Sequence, residues 1–235
     1  MIRTVATDNN VISYELTRKK VKNINLRIRR DGTVAVSCGR YVSCGQVDSF
    51  VKSKSGFILK AIEKTDERNG NSALPSEYKD GDSVSIYGQR YLIHIRLAPR
   101  RRITMTDTEL VILTPKPDLI AERTRIYESW RRMELRAKVL DMCDQYYPYF
   151  ARMGVKRPSE IKFRTMRSRW GCCRPDSGIL TFSYNLFETP DEAIEYVVVH
   201  EFAHFLEANH SKRFYAVVAS IMPDWKQRRK LLNDY

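Results

Sequence analysis

Three of the four histidines, His200, His204 and His210, fall within eleven residues in the stretch V-V-V-H-E-F-A-H-F-L-E-A-N-H, and Glu201 follows the first of them. On an α-helix, residues four apart stack on one face, so the imidazoles of His200 and His204 can converge on a single ion. Glu201 is rotated off that stripe by one residue, which suits it to hold a water on the metal rather than to ligate. H-E-x-x-H on a helix therefore reads as a zinc site with the glutamate as general base. A catalytic zinc keeps three protein ligands and leaves the fourth position to water, so a third ligand is required. His210 fills that place if the helix ends after His204 and the chain turns back, which Asn209 permits because asparagine tolerates the left-handed conformation. The rival, Glu207, stands about 10 Å from His200 along a straight helix at ~1.5 Å per residue, too far for one tetrahedral ion. His210 is preferred.

The elements around these residues must position them. Tyr196 to Val199, then Phe202, Ala203, Phe205 and Leu206, make the H-E-x-x-H segment apolar nearly all round, which predicts a buried helix. Two imidazoles and a carboxyl buried there are costly without a partner, and that favours a metal over chance. Thr189-Pro190-Asp191-Glu192 is a helix start, and Ile179 to Leu186 reads as a strand that could form the rim of a substrate cleft. Ser211 is placed to cap a following helix that carries Phe214, Val217, Val218 and Ile221 and ends before Pro223. Asp224-Trp225 then opens a short basic helix. Phe214 and Trp225 are expected to pack beneath the metal site, and Trp170 to fill the core. Arg164, Arg167, Arg169 and Tyr215 are candidates for stabilising an oxyanion, with surface charge or packing as the competing role for each.

Further upstream, Ile126, Trp130, Met133, Ala137 and Leu140 form a helical stripe expected to end at Pro148 and Gly154. The aromatics Tyr146, Tyr147, Tyr149 and Phe150 at that end are expected to pack on a neighbouring domain. The first half is β-patterned: Val21, Ile24, Leu26 and Ile28 run into Asp31-Gly32 and Val34 to Val36 as a hairpin. A helix through Val47, Phe50, Val51, Phe57, Ile58 and Ala61 follows, with a loop at Asn69 to Ser72. Strands resume at Val84 and Ile86, turn at Gly88, and continue through Tyr91 to Ile95 and through Leu110 and Ile112. His94 reads as an ordinary sheet residue. Pro115 and Pro117 mark the change of period, giving a basic β-rich region at 1–117 and a mainly helical metal-binding catalytic domain at 118–235, an α+β chain.

Composition bounds the partners. Of the net charge of +13, residues 1–117 carry 21 Lys/Arg against 12 Asp/Glu, or +9, and residues 118–235 carry 20 against 16, or +4. A basic surface of this kind attracts nucleic acid or nucleotide phosphates, or serves only as a solvated face. No apolar run approaches a membrane span, so a soluble, cytoplasmic protein without a membrane partner is expected. The five cysteines are odd in number and lack zinc-ribbon spacing, and they read as small hydrophobes. Oligomeric state is not fixed by the sequence.

The combination R-W-G-C-C, G-I-L-T-F-S-Y-N-L, Y-V-V-V-H-E-F-A-H, N-H-S-K-R-F and M-P-D-W-K-Q-R-R-K-L-L resembles the YgjP-like metallopeptidase-domain family, relatives of the WLM and SprT-like zincins. The resemblance implies one zinc on His200, His204 and His210, Glu201 as base, a zincin-like α+β core with a short sheet beside the H-E-x-x-H helix, and a supporting role for Ser211 and Phe214. Cys172 stands where the family usually has serine, and Ser183 where it commonly has asparagine. The function expected is a zinc-dependent hydrolase, a metallopeptidase acting on peptide or protein through a zinc-activated water. The alternatives are a metal-dependent nucleotide phosphohydrolase cleaving a phosphoanhydride, or a nucleic-acid-associated protein with a basic N-terminal module.

Overall fold

The computed structural model describes residues 1–7, 11–29, 32–62, 77–166 and 168–235. Contacts divide the chain into two compact units, Met1–Ala73 and Leu74–Tyr235. The change of period after residue 117 thus falls inside the second unit, because a switch from strand to helix patterning marks a new element rather than a new core.

The first unit holds a four-stranded sheet in the order β1-β2-β4-β3, made of β1 (Ile2–Ala6), β2 (Val11–Arg18), β3 (Asn25–Ile28) and β4 (Val34–Cys38). β3 and β4 form the expected antiparallel hairpin, with Gly32 at φ +78° in its turn; Asp31 lies outside the described residues. β2 runs parallel to β4, ahead of the first predicted strand, and its alternating Ile12, Tyr14 and Leu16 are buried. Helix α1 (Cys44–Ser53) starts in a reciprocal cap between Ser43 and Gln46 and buries Val47 and Val51 against the same cluster. Ile58 joins that cluster, whereas Phe57 is exposed. The expected loop at Asn69 to Ser72 lies outside the described residues.

The second unit contains two sheets and a set of helices. The first sheet has the order β5-β6-β8-β7, from β5 (Ser83–Ile86), β6 (Gln89–Leu97), β7 (Arg102–Met105) and β8 (Glu109–Thr114). The turn between β5 and β6 has positive φ at Tyr87 and Gly88, the geometry that follows strand twist in two-residue hairpins. β7 was not expected, since Arg100 to Arg102 reads as a solvated run. Its backbone pairs with β8 while Arg102 itself stays exposed. His94 lies between Asp80 and Glu109 on β6, away from the other histidines.

Helix α2 (Ile120–Ala151) packs Ile126 and Trp130 of the expected stripe against the core but centres its buried face elsewhere. Tyr127, Leu135, Val139, Met142, Cys143, Tyr146 and Phe150 are inside, whereas Met133 and Ala137 are exposed. Arg131 interrupts the inward stripe and hides its period. It is 5% exposed and paired with Glu128 at 3.2 Å and Glu188 at 3.7 Å. The helix also runs three residues past Pro148 before Gly154 turns the chain at φ +86°.

A three-stranded sheet, order β10-β11-β9, follows: β9 (Glu160–Arg164), β10 (Gly171–Arg174) and β11 (Ile179–Ser183). The expected strand therefore stops at Ser183 and passes into a 3₁₀ segment, Tyr184–Glu188. Helices α3 (Asp191–Ala203), α4 (Lys212–Ile221) and α5 (Trp225–Leu231) complete the unit. Phe150 stacks on Phe202 at 5.2 Å and the Tyr146 hydroxyl bonds Glu195 at 3.0 Å, so these aromatics close the α2–α3 contact within one unit while Tyr149 is exposed. Among the described residues no helix is long and apolar enough to cross a membrane.

Candidate metal centre

Helix α3 is buried along most of its length, as its all-round apolar sequence requires. His200 and Glu201 lie in its last turn, and His204 is its C-cap. The chain then turns through Phe205 and Leu206, whose N–H groups bond the carbonyls of Phe202 and Ala203. Asn209 does not take the left-handed conformation expected of it. The reversal is instead completed by Ser211 N–H bonding the Asn209 carbonyl at 2.7 Å, and the Ser211 hydroxyl then caps α4 by accepting from Phe214 N–H at 3.2 Å.

This path brings His210 back to α3. Ligand-capable nitrogens of His200, His204 and His210 all lie within 4.8 Å of one another, and the Nε2 atoms of His200 and His210 are 2.9 Å apart. Nitrogens held by one tetrahedral zinc at ~2.0–2.1 Å stand about 3.3 Å apart, between the shortest separation and the 4.8 Å bound found here, so small shifts of the rings fit the donor set to such an ion. The outer nitrogens are occupied. His204 Nδ1 faces the Glu207 carbonyl at 3.1 Å and His200 Nδ1 faces the Tyr196 hydroxyl at 3.2 Å. In the tautomer that donates Nδ1–H outward, the Nε2 of His200 and of His204 each keep a lone pair for an ion. Phe214, fully buried, lies under all three rings with centroids 4.6–4.9 Å away. Trp225 stacks on Tyr215 at 4.6 Å.

Electrostatics agree with a cation site. Burial pushes the His200 imidazole down to about 3, with help from His204 and His210, because neighbouring rings cannot all carry protons in one desolvated place. His204 is lowered for the same first reason. Glu201 is 5% exposed, and burial pushes its carboxyl up to about 8, opposed by the Cys173 backbone N–H and by Arg169.

These residues open on a cleft of about 720 Å³. Of the oxyanion candidates, Arg169 and Tyr215 line it, whereas Arg164 lies in a separate cleft beside Arg136 and Phe163. Arg167 is outside the described residues. Glu207 offers its main-chain carbonyl and is not part of the histidine cluster. Trp170 is both part of the core rim and a wall of the cleft. Three cleft residues escape sequence reasoning. Tyr196 lies one helical turn before His200, a spacing that could have revealed it. Gly171 and Arg229 come from a strand and a helix far from the motif, and only the folded chain brings them there. The Arg229 guanidinium donates to the Tyr215 hydroxyl at 3.4 Å.

A family model described as YgjP-like, metallopeptidase domain, matches residues 22–235. Among solved structures the chain is similar to the metallopeptidase zymogen of Pyrococcus abyssi abylysin, at 20% identity and a TM-score of 0.36, over 40% of this chain and 90% of that one. No curated protein matches the chain.

Proposed function

Because this chain belongs to the YgjP-like metallopeptidase-domain family, we propose that it is a zinc-dependent peptidase whose catalytic part is the second compact unit, with a zincin-like arrangement of α3 against the β10 sheet. The observation that carries this reading is the convergence of the His200, His204 and His210 nitrogens within 4.8 Å beside the buried Glu201. The three imidazoles would hold the ion. Zinc, when bound, lowers the pKa of coordinated water from ~15.7 toward ~7 and polarises a carbonyl.

Glu201 takes the proton of the attacking water and later delivers it to the leaving amine nitrogen. Burial raises this carboxyl in the metal-free chain, and a cation on the adjacent histidines would favour the ionised form that accepts the proton. Arg169 and Tyr215, on the wall of the same cleft, are the side chains available to an oxyanion. Family membership makes peptide or protein the substrate class, and a nucleic-acid partner has no support.

Metal analysis of the purified protein is expected to give about one zinc per chain. Glu201→Gln should keep it and lose hydrolysis of an internally quenched peptide panel by at least ~10²-fold. His210→Ala should lose the metal, and Glu207→Gln should not. A nucleotide panel read by phosphate and pyrophosphate release runs beside the peptides. Glu201-dependent nucleotide cleavage without peptide cleavage would replace this reading by the phosphohydrolase alternative.

A further inference from the structure

β10 contributes more to the cleft than a wall. A Cβ built on Gly171 would lie 2.6 Å from both Cγ and Oε1 of Glu201 and 2.8 Å from its Cδ. Carbon and oxygen atoms repel steeply at such separations, so a side chain at 171 and Glu201 in its present place exclude each other. The backbone at Gly171 makes no demand of its own, because its φ is outside the left-handed region and its residue pairs regularly with Phe182 of β11. Glycine is needed there for what faces it. Two residues along, the Cys173 backbone opposes the burial that raises the same carboxyl. β10 is an edge strand of its sheet, which leaves alternate N–H groups free of strand partners and able to reach a side chain of α3.

We propose that Gly171 is a positioning residue for Glu201: the absence of its side chain creates the seat for the carboxyl beside the three histidines. The proposal rests on Glu201 being the general base, but the contact it describes is tested without activity. Glu201 is the only acidic residue lining the cleft among the described residues, so displacing it leaves no substitute.

The test is a double-mutant cycle of Gly171→Ala with Glu201→Ala in the full chain, read by thermal melting of the zinc-loaded protein, together with steady-state kinetics of Gly171→Ala on the internally quenched peptide that the wild type cleaves fastest. Gly171→Ala is expected to lower Tm in the wild-type background and to have little effect once Glu201 is alanine, because the clashing Cγ, Cδ and Oε1 are then gone. Zinc content should stay near one per chain and KM within a few-fold, while kcat falls on the order of 10²-fold, the scale of a ~1 Å misplacement of a catalytic group. If Gly171→Ala alone fails to fold, recovery of folding in the double variant supports the seat, and failure of both overturns it. An equal drop in Tm in both backgrounds, or a Gly171→Ala enzyme with wild-type kcat, also overturns it. An active Glu201→Gln would remove the general-base reading and leave the stability cycle to report the contact by itself.

Discussion

Each imidazole of a metal site must present one nitrogen inward and settle the other elsewhere, and here the settlement is visible for two rings. His204 uses the Glu207 carbonyl and His200 uses the Tyr196 hydroxyl. Glu207, a rival ligand on spacing alone, thus serves through its main chain, since the helix ends before its side chain could share the face of His200. Tyr196→Phe removes only the hydroxyl, with the ring still packed near Trp225. Zinc affinity measured by competition with a chromophoric chelator is expected to fall by ~10–100-fold, the usual consequence of losing such a partner. An unchanged affinity would show that Phe214 alone orients the ring. The clustering of the three histidines beside Glu201 was legible from residue types and spacing, because a helix fixes which side chains share a face. Tyr196 was legible in principle by the same rule.

At the scale of elements, the site depends on α3 stopping and α4 starting within eight residues. Ser211, read from the sequence as a cap, performs that role, and it follows the third histidine directly. Ser211→Ala should cost ~0.5–2 kcal/mol of stability. It should also reduce zinc occupancy at limiting metal, because the segment that returns His210 to α3 loses its anchor. A melting curve with and without zinc checks both, and a variant as stable as the wild type would assign the reversal to the turn at Phe205 and Leu206 alone. Where element reading failed, a charge was responsible. Arg131 sits inside the buried stripe of α2 and is ion-paired with Glu128 and Glu188, the second of which comes from 57 positions further along the chain. Local periodicity treats such an arginine as solvent-facing and rotates the inferred face away from the core.

For the whole molecule, the two units carry separate buried clusters and different sensitivities. In the first, the Arg3 guanidinium at 2.7 Å and the Tyr14 hydroxyl hold the Asp48 carboxyl below the usual carboxylate range. A carboxyl depressed in the folded state contributes stability that is present above its unfolded pKa and is lost as pH falls through the folded one. Acid should therefore lower the melting temperature of the first unit, and Asp48→Asn should reduce that dependence below about pH 4. In the second, a bound ion stabilises by mass action, so a chelator at neutral pH should lower its melting temperature and leave the first unit's unchanged. Calorimetry across pH, with and without chelator, separates the two, and one transition moving with both variables would contradict independent units. The sequence by itself determined the α+β character and which three imidazoles and which carboxyl come together, since these depend on spacing along one helix and on periodicities of two and 3.6 residues. Only the tertiary structure decided which face of α2 is inside, where the compact units divide, and that Gly171 and Arg229 share a cleft with the histidines. Those facts belong to pairs of residues brought together by packing and chain reversal, and no local pattern encodes such a pair.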